Sequence, residues 1–184
     1  SGIYFRALAD MGDAPDLLRS GAAFWAYRLS LRHNDPEKAV KYLNVAKNFT
    51  KTFYGMMALH ISGQKFSVIF QEPRISDNFV PWLTRTRGGR RALALLQIGD
   101  WTRASRELRY LYEQASTTQK KDMMMFAVTY NMPGLAFRLA DLHLKLTGEA
   151  INTALYPQPK TNINFDIDPA IIYGIIRKES SFYP

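Results

Sequence analysis

The chain has 184 residues, with 24 Lys+Arg against 16 Asp+Glu and a formal net charge of +8, a length that fits one domain or one and a fraction. At 47% hydrophobic and 22% charged it is not an intrinsically disordered sequence, and the absence of cysteine excludes disulfides, thiolate zinc sites and thiol nucleophiles. The positive surplus calls for an anionic partner, with nucleic acid, acidic membrane and acidic polymer as candidates.

From the N-terminus onward the apolar spacing predicts helix after helix. Phe24, Tyr27 and Leu31 recur at three and four, one face of a helix. Asn34-Asp35-Pro36 ends that helix and starts another, with Asp35 as N-cap and Pro36 at the first helical position. Ala39, Leu43 and Ala46, with Val40 alongside, form its predicted buried stripe. Thr50 is expected to cap a third helix carrying Phe53, Met57 and Ile61, closed by a left-handed Gly63. Residues 64–88 are less regular, punctuated by Pro73, Pro81 and Gly88-Gly89.

The pattern resumes at Ala92, Leu95 and Leu96. Gly99-Asp100 ends one helix and caps the next, whose expected apolar face is Trp101, Ala104, Leu108 and Leu111. Ser116 and Gln119 read as a capping box for a helix through Met123, Phe126 and Tyr130. Asn131-Met132-Pro133-Gly134 breaks it, and Leu135, Leu139, Leu142 and Leu146 build another that ends at Gly148. Short turns between helices predict an all-α fold, an α-solenoid or superhelix of antiparallel pairs over residues 1–148. Its style is that of tetratricopeptide arrays, whose Trp-x2-Leu-Gly signature is absent. Residues 149–167 lack a helical stripe and are expected to be a connector, with 156–159 extended because of Pro157 and Pro159. Asp168-Pro169 then opens a last helix.

That last helix carries the chemistry. At about 100° per residue, Glu179 falls near Ile172 and Ile175 on the helical wheel, so its carboxyl is expected to extend the apolar stripe, while Arg177 and Lys178 point to water. On a buried face near a helix C-terminus, desolvation and the macrodipole disfavour the charged carboxylate, the condition for a general acid. The plain alternative is a surface glutamate at a fraying end. Ser180 is a weaker candidate for contact with substrate; its other reading is a helix-end hydroxyl bonded to the backbone.

The stretch Asp168-Pro-Ala-Ile-Ile-Tyr-Gly-Ile-Ile-Arg-Lys-Glu-Ser-Ser-Phe-Tyr-Pro184 resembles the opening helix of the catalytic domain of soluble lytic transglycosylases. Upstream, Phe24-Trp25-x-x-Arg28, Phe53-Tyr54-Gly55-Met56-Met57-Ala58 and Leu155-Tyr156-Pro157 resemble the helical superhelix and connector of the same family. Tyr183 departs from the family's frequent Asn or Asp. The resemblance implies a superhelix over 1–148, a connector over 149–167 and the start of a lysozyme-like domain over 168–184. It implies cleavage of the β-1,4 MurNAc–GlcNAc bond of peptidoglycan with a 1,6-anhydromuramoyl product, and Glu179 as the single acid/base. A periplasmic location, no cofactor, no metal, no nucleic acid and no membrane span are part of the same expectation. Because the family's catalytic domain continues well past a segment of this kind, the chain is expected to be an inactive piece of a longer enzyme. The beginning at Ser1, without a signal-peptide pattern, leads to the same expectation. A helical-repeat binding scaffold without activity is the alternative, and a nucleic-acid-binding helical domain a weaker one.

Other signals carry less. Arg85, Arg87, Arg90 and Arg91 read as a solvated loop and helix start. Asp10, Asp13 and Asp16 lack the EF-hand spacing, and Asp13 is expected to cap a helix. His33, His60 and His143 have no zinc-ligand spacing. Met123-Met124-Met125 is a helical turn partly in the core. Trp25, Trp82 and Trp101 are expected as core anchors, with sugar stacking as a lesser reading for Trp82.

Overall fold

A computed structural model describes residues 2–182. The described residues hold helices and no strand, as the all-α expectation requires. They divide into two compact units, Ser1–Val68 and Ile69–Pro184.

The first unit holds α1 (Gly2–Asp10), α2 (Asp16–Arg32), α3 (Pro36–Lys47) and α4 (Phe53–Ile61), with α2 packed on the other three. Because neighbours surround α2, its buried positions run around the helix: Ser20, Gly21, Ala22, Ala23, Phe24, Ala26 and Ser30. Most are small, which lets the backbones approach. The expected stripe therefore holds only at Phe24 and partly at Tyr27, and Leu31 is exposed. In α3, Ala39, Tyr42 and Ala46 are buried while Val40 faces solvent. In α4 the expected stripe is turned outward: Phe53, Met57 and Ile61 are exposed, and the inner face is Gly55 and Ala58. No side chain caps α2, so Asp13 does not act as its N-cap.

One capping device occurs in both units. The α4 cap is Thr52, not Thr50: Thr52 Oγ accepts the Gly55 N–H and donates to the Phe49 carbonyl, at 3.1 and 2.9 Å. In the second unit Thr86 Oγ accepts the Gly89 N–H and donates to the Leu83 carbonyl, at 3.0 and 2.9 Å. At both glycines a Cβ would fall about 2 Å from that carbonyl oxygen, 1.9 Å at Gly55 and 2.0 Å at Gly89. The spacing apolar-x-x-Thr-x-x-Gly is thus fixed by a backbone approach that no other residue permits.

The second unit holds α5 (Phe79–Arg85), α6 (Arg87–Gln97), α7 (Trp101–Gln114), α8 (Thr117–Thr129), α9 (Pro133–Thr147), α10 (Asn152–Leu155) and α11 (Pro169–Ser180). Its core gathers Phe79, Leu83, Leu108, Tyr112, Phe126, Leu135 and Leu139 with all three of Met123, Met124 and Met125. The predicted punctuation is present: Gly99 and Gly148 are left-handed, Asp100 caps α7, and Ser116 with Gln119 forms a capping box. The connector differs from expectation, because α10 forms within it and buries Ala154 and Leu155. Of the three tryptophans, Trp82 is partly buried beside Phe79, whereas Trp25 and Trp101 are about half exposed, at 45% and 49%. Leu142 and Leu146 are also exposed, so the buried stripe of α9 stops near Ala140, with His143 beyond it.

Candidate functional site around the end of α11

α11 starts as expected, with the Asp168 carboxylate accepting the Ala170 N–H at 2.9 Å and Pro169 at the first helical position. What fixes the helix is a set of contacts that the wheel did not assign. The Arg177 guanidinium lies 4.8 Å from the Phe137 ring centroid and 4.7 Å from that of Tyr156, and its Nε donates to the Leu155 carbonyl at 3.2 Å. Tyr173 donates its hydroxyl to the Pro159 carbonyl at 3.1 Å. Arg177 was expected in water; it is instead the anchor of the helix. A planar cation with a fork of donors suits this role, since two ring faces and a carbonyl are offered together.

The helix ends in a left-handed turn, with φ of 53° at Ser181 and 60° at Phe182. Such backbone costs roughly 1–2 kcal/mol per non-glycine residue. Burial of Phe182 offsets it: the ring packs against Phe137, and its carbonyl rests on Gly134, the second residue of α9.

Glu179 lies between these two anchors and belongs to neither. Its side chain is exposed, as is Ile175, so the expected burial of the Glu179 carboxyl is not present in the described chain. Its carboxyl makes no hydrogen bond or ion pair with any described residue. Ser180 donates its hydroxyl to the Ile176 carbonyl at 3.1 Å, the backbone bond of its plainer reading. Tyr183 lies outside the described residues. Chemically, the arrangement is one unpaired carboxylate held at a fixed helix end.

Two groupings that the sequence did not bring together lie in the same unit. A chain of contacts runs from buried Tyr112 and His143 out to the exposed Glu149: Tyr112 Oη is 3.4 Å from His143 Nδ1, and His143 Nε2 is 3.2 Å from Glu149. A carboxylate only accepts, so Nε2–H donates to Glu149, and the Tyr112 hydroxyl also lies 3.4 Å from the Leu139 carbonyl, to which it donates. Burial pushes the Tyr112 hydroxyl up to about 12, while hydrogen bonds from Lys121 and then His143 hold Glu149 below the usual carboxylate range. The second group is a groove between α7 and α9 lined by Arg106, Arg109 and Arg138. A run of arginines on one helix was the available signal.

Of the sequence cluster Arg85, Arg87, Arg90 and Arg91, the last two have local partners. Arg90 donates to the carbonyls of Thr84 and Arg85, and Arg91 forms a two-pronged pair with Glu107. No metal-ligand cluster occurs among the described residues, and none of the helices is long and apolar enough to cross a membrane. The chain matches no protein family, no curated protein and no solved structure.

Proposed function

We propose that the chain is part of a peptidoglycan lytic transglycosylase, with a helical-repeat superhelix followed by the first helix of a lysozyme-like domain. The observation that carries this reading is the stretch 168–184, whose Glu179-Ser180-Ser181-Phe182 ends a proline-started helix and resembles that family's catalytic motif. Glu179 is exposed and its side chain has no partner among the described residues, which leaves the carboxyl open to contact, while the burial expected of a general acid would have to come from the substrate and the rest of such a domain. The recurring Thr-x-x-Gly device supports the helical-repeat part.

In this reading Glu179 protonates the glycosidic oxygen as the bond to the muramic C1 breaks. The substrate's acetamido oxygen stabilises the oxocarbenium-like centre, so no second carboxylate is needed. Glu179, now the base, takes the proton of the C6 hydroxyl as that oxygen bonds to C1. The proton returns to the carboxyl, no water enters, and the product is a 1,6-anhydromuramoyl end. The parent works in the periplasm, without metal or cofactor. Residues 1–184 are inactive alone, because Glu179 lies in open solvent and catalysis depends on positioning and a preorganised wall.

The test is purified peptidoglycan with the protein carrying its lysozyme-like domain. Release of 1,6-anhydromuramoyl fragments that falls by at least about 100-fold in Glu179→Gln is expected, the scale of losing a general acid. Undiminished release in the variant overturns the role of Glu179. No release from the parent leaves the binding-scaffold reading.

A further inference from the structure

The arginine groove of the second unit has no part in the chemistry above. Two adjoining cavities, of about 110 and 350 Å³, run along α7 and α9, and Arg106, Arg109 and Arg138 line both. The larger reaches the lower end of the roughly 300–1,000 Å³ typical of small-ligand sites. Most other cations of this unit that lie near acids are paired: Arg91 with Glu107, Arg103 with Asp100, Lys121 with Glu149 and Lys145 with Asp141. The side chains of Arg106 and Arg109 make no hydrogen bond or ion pair with any described residue. They stand three apart on α7, where like charges repel. Among the described residues that line the larger cavity, Glu113 is the one acid, facing Arg106 and Arg109. A concave, low-dielectric wall with this imbalance concentrates positive potential.

The rest of the smaller cavity indicates what kind of anion fits. Trp101, half exposed, lines it together with the hydroxyl-bearing Thr102 and Ser105. An open indole face suits the C–H face of a sugar, hydroxyls suit its hydroxyls, and guanidinium forks suit a carboxylate. Phe182 closes one end, three residues from Glu179.

We propose that this groove binds an anionic saccharide, its carboxylate held by Arg106 and Arg109 and its ring against Trp101. The requirement for an acidic group rests on the groove itself; the choice of N-acetylmuramic acid as the sugar acid rests on the cell-wall reading. The site holds a glycan strand and takes no part in bond cleavage.

The test is calorimetric titration of the 184-residue chain with a soluble MurNAc–GlcNAc disaccharide, with neutral chitobiose and with inorganic phosphate. Binding of the acidic disaccharide at least 10-fold tighter than chitobiose is expected, with a loss of at least 10-fold in Arg106→Ala/Arg109→Ala. Trp101→Ala is expected to weaken the saccharide but not phosphate. Circular dichroism verifies that the variants, all at exposed positions, remain folded. Equal binding of the two disaccharides, phosphate binding as tight as the saccharide, a double variant that binds like the parent chain, or no binding overturns the proposal. The two readings fail separately. Absent binding beside a Glu179-dependent release removes only the groove, and binding beside a Glu179-independent release removes only the catalytic role.

Discussion

The carbonyl of Phe182 rests on Gly134: a Cβ at residue 134 would come within 2.7 Å of that oxygen. The end of α11 is therefore seated on the first turn of α9 by a contact that only glycine allows. Gly134→Ala is expected to push the 181–182 turn away and cost about 1–3 kcal/mol, as overpacking does. Denaturant unfolding measures the cost, and faster amide exchange confined to α11 and its turn identifies the site. Unchanged exchange there would mean that the turn is held by something else.

Arg177 anchors the same helix through two rings and a carbonyl. Arg177→Ala is expected to destabilise by about 1–3 kcal/mol, the sum of a cation–π pair and a charged hydrogen bond. Arg177→Lys keeps the charge but not the planar fork, so it should recover less than half of the loss. Full recovery by lysine in the same unfolding measurement would show that charge alone is what matters.

The Thr-x-x-Gly device makes a paired prediction. Gly55→Ala and Gly89→Ala each place a methyl about 2 Å from a backbone oxygen, 1.9 and 2.0 Å respectively. Each is expected to cost about 3 kcal/mol or more, well above the roughly 1 kcal/mol expected of losing a threonine cap in Thr52→Ala or Thr86→Ala. Thermal unfolding of the four single variants compares them. Alanine tolerated at either glycine would refute the close approach there.

Tyr112 gives the alkaline behaviour. Its hydroxyl is raised by burial from an ordinary 10.0 to about 12 in the folded chain. Ionisation is thus easier in the unfolded chain, so this residue's contribution is complete below pH 10.0 and is lost as pH rises toward 12. The stability gap between the parent chain and Tyr112→Phe should shrink steadily over that window. A gap independent of pH would show that the hydroxyl ionises equally well in both states.

Most helix boundaries were legible in the sequence, because a boundary is a local matter settled within about four residues. Asp35 before Pro36, Asp100 after Gly99, Ser116 with Gln119, and Asp168 before Pro169 all cap the helices they were expected to cap. Thr52 replaced Thr50 because only Thr52 reaches both the Gly55 N–H and the Phe49 carbonyl.

Which face each helix buries was decided by the tertiary structure. A helical wheel assumes that large apolar residues turn inward, but α4 turns Gly55 and Ala58 inward, because close backbone packing rewards small residues. The candidate site shows the same division. Sequence alone marked Glu179, by its motif. Only the fold decided that Arg177 would be drawn between Phe137 and Tyr156 and Phe182 drawn onto Gly134, leaving the carboxylate between them in solvent. A one-dimensional pattern gives the angle of a side chain about its own helix, whereas burial depends on what the neighbouring helices bring to that angle.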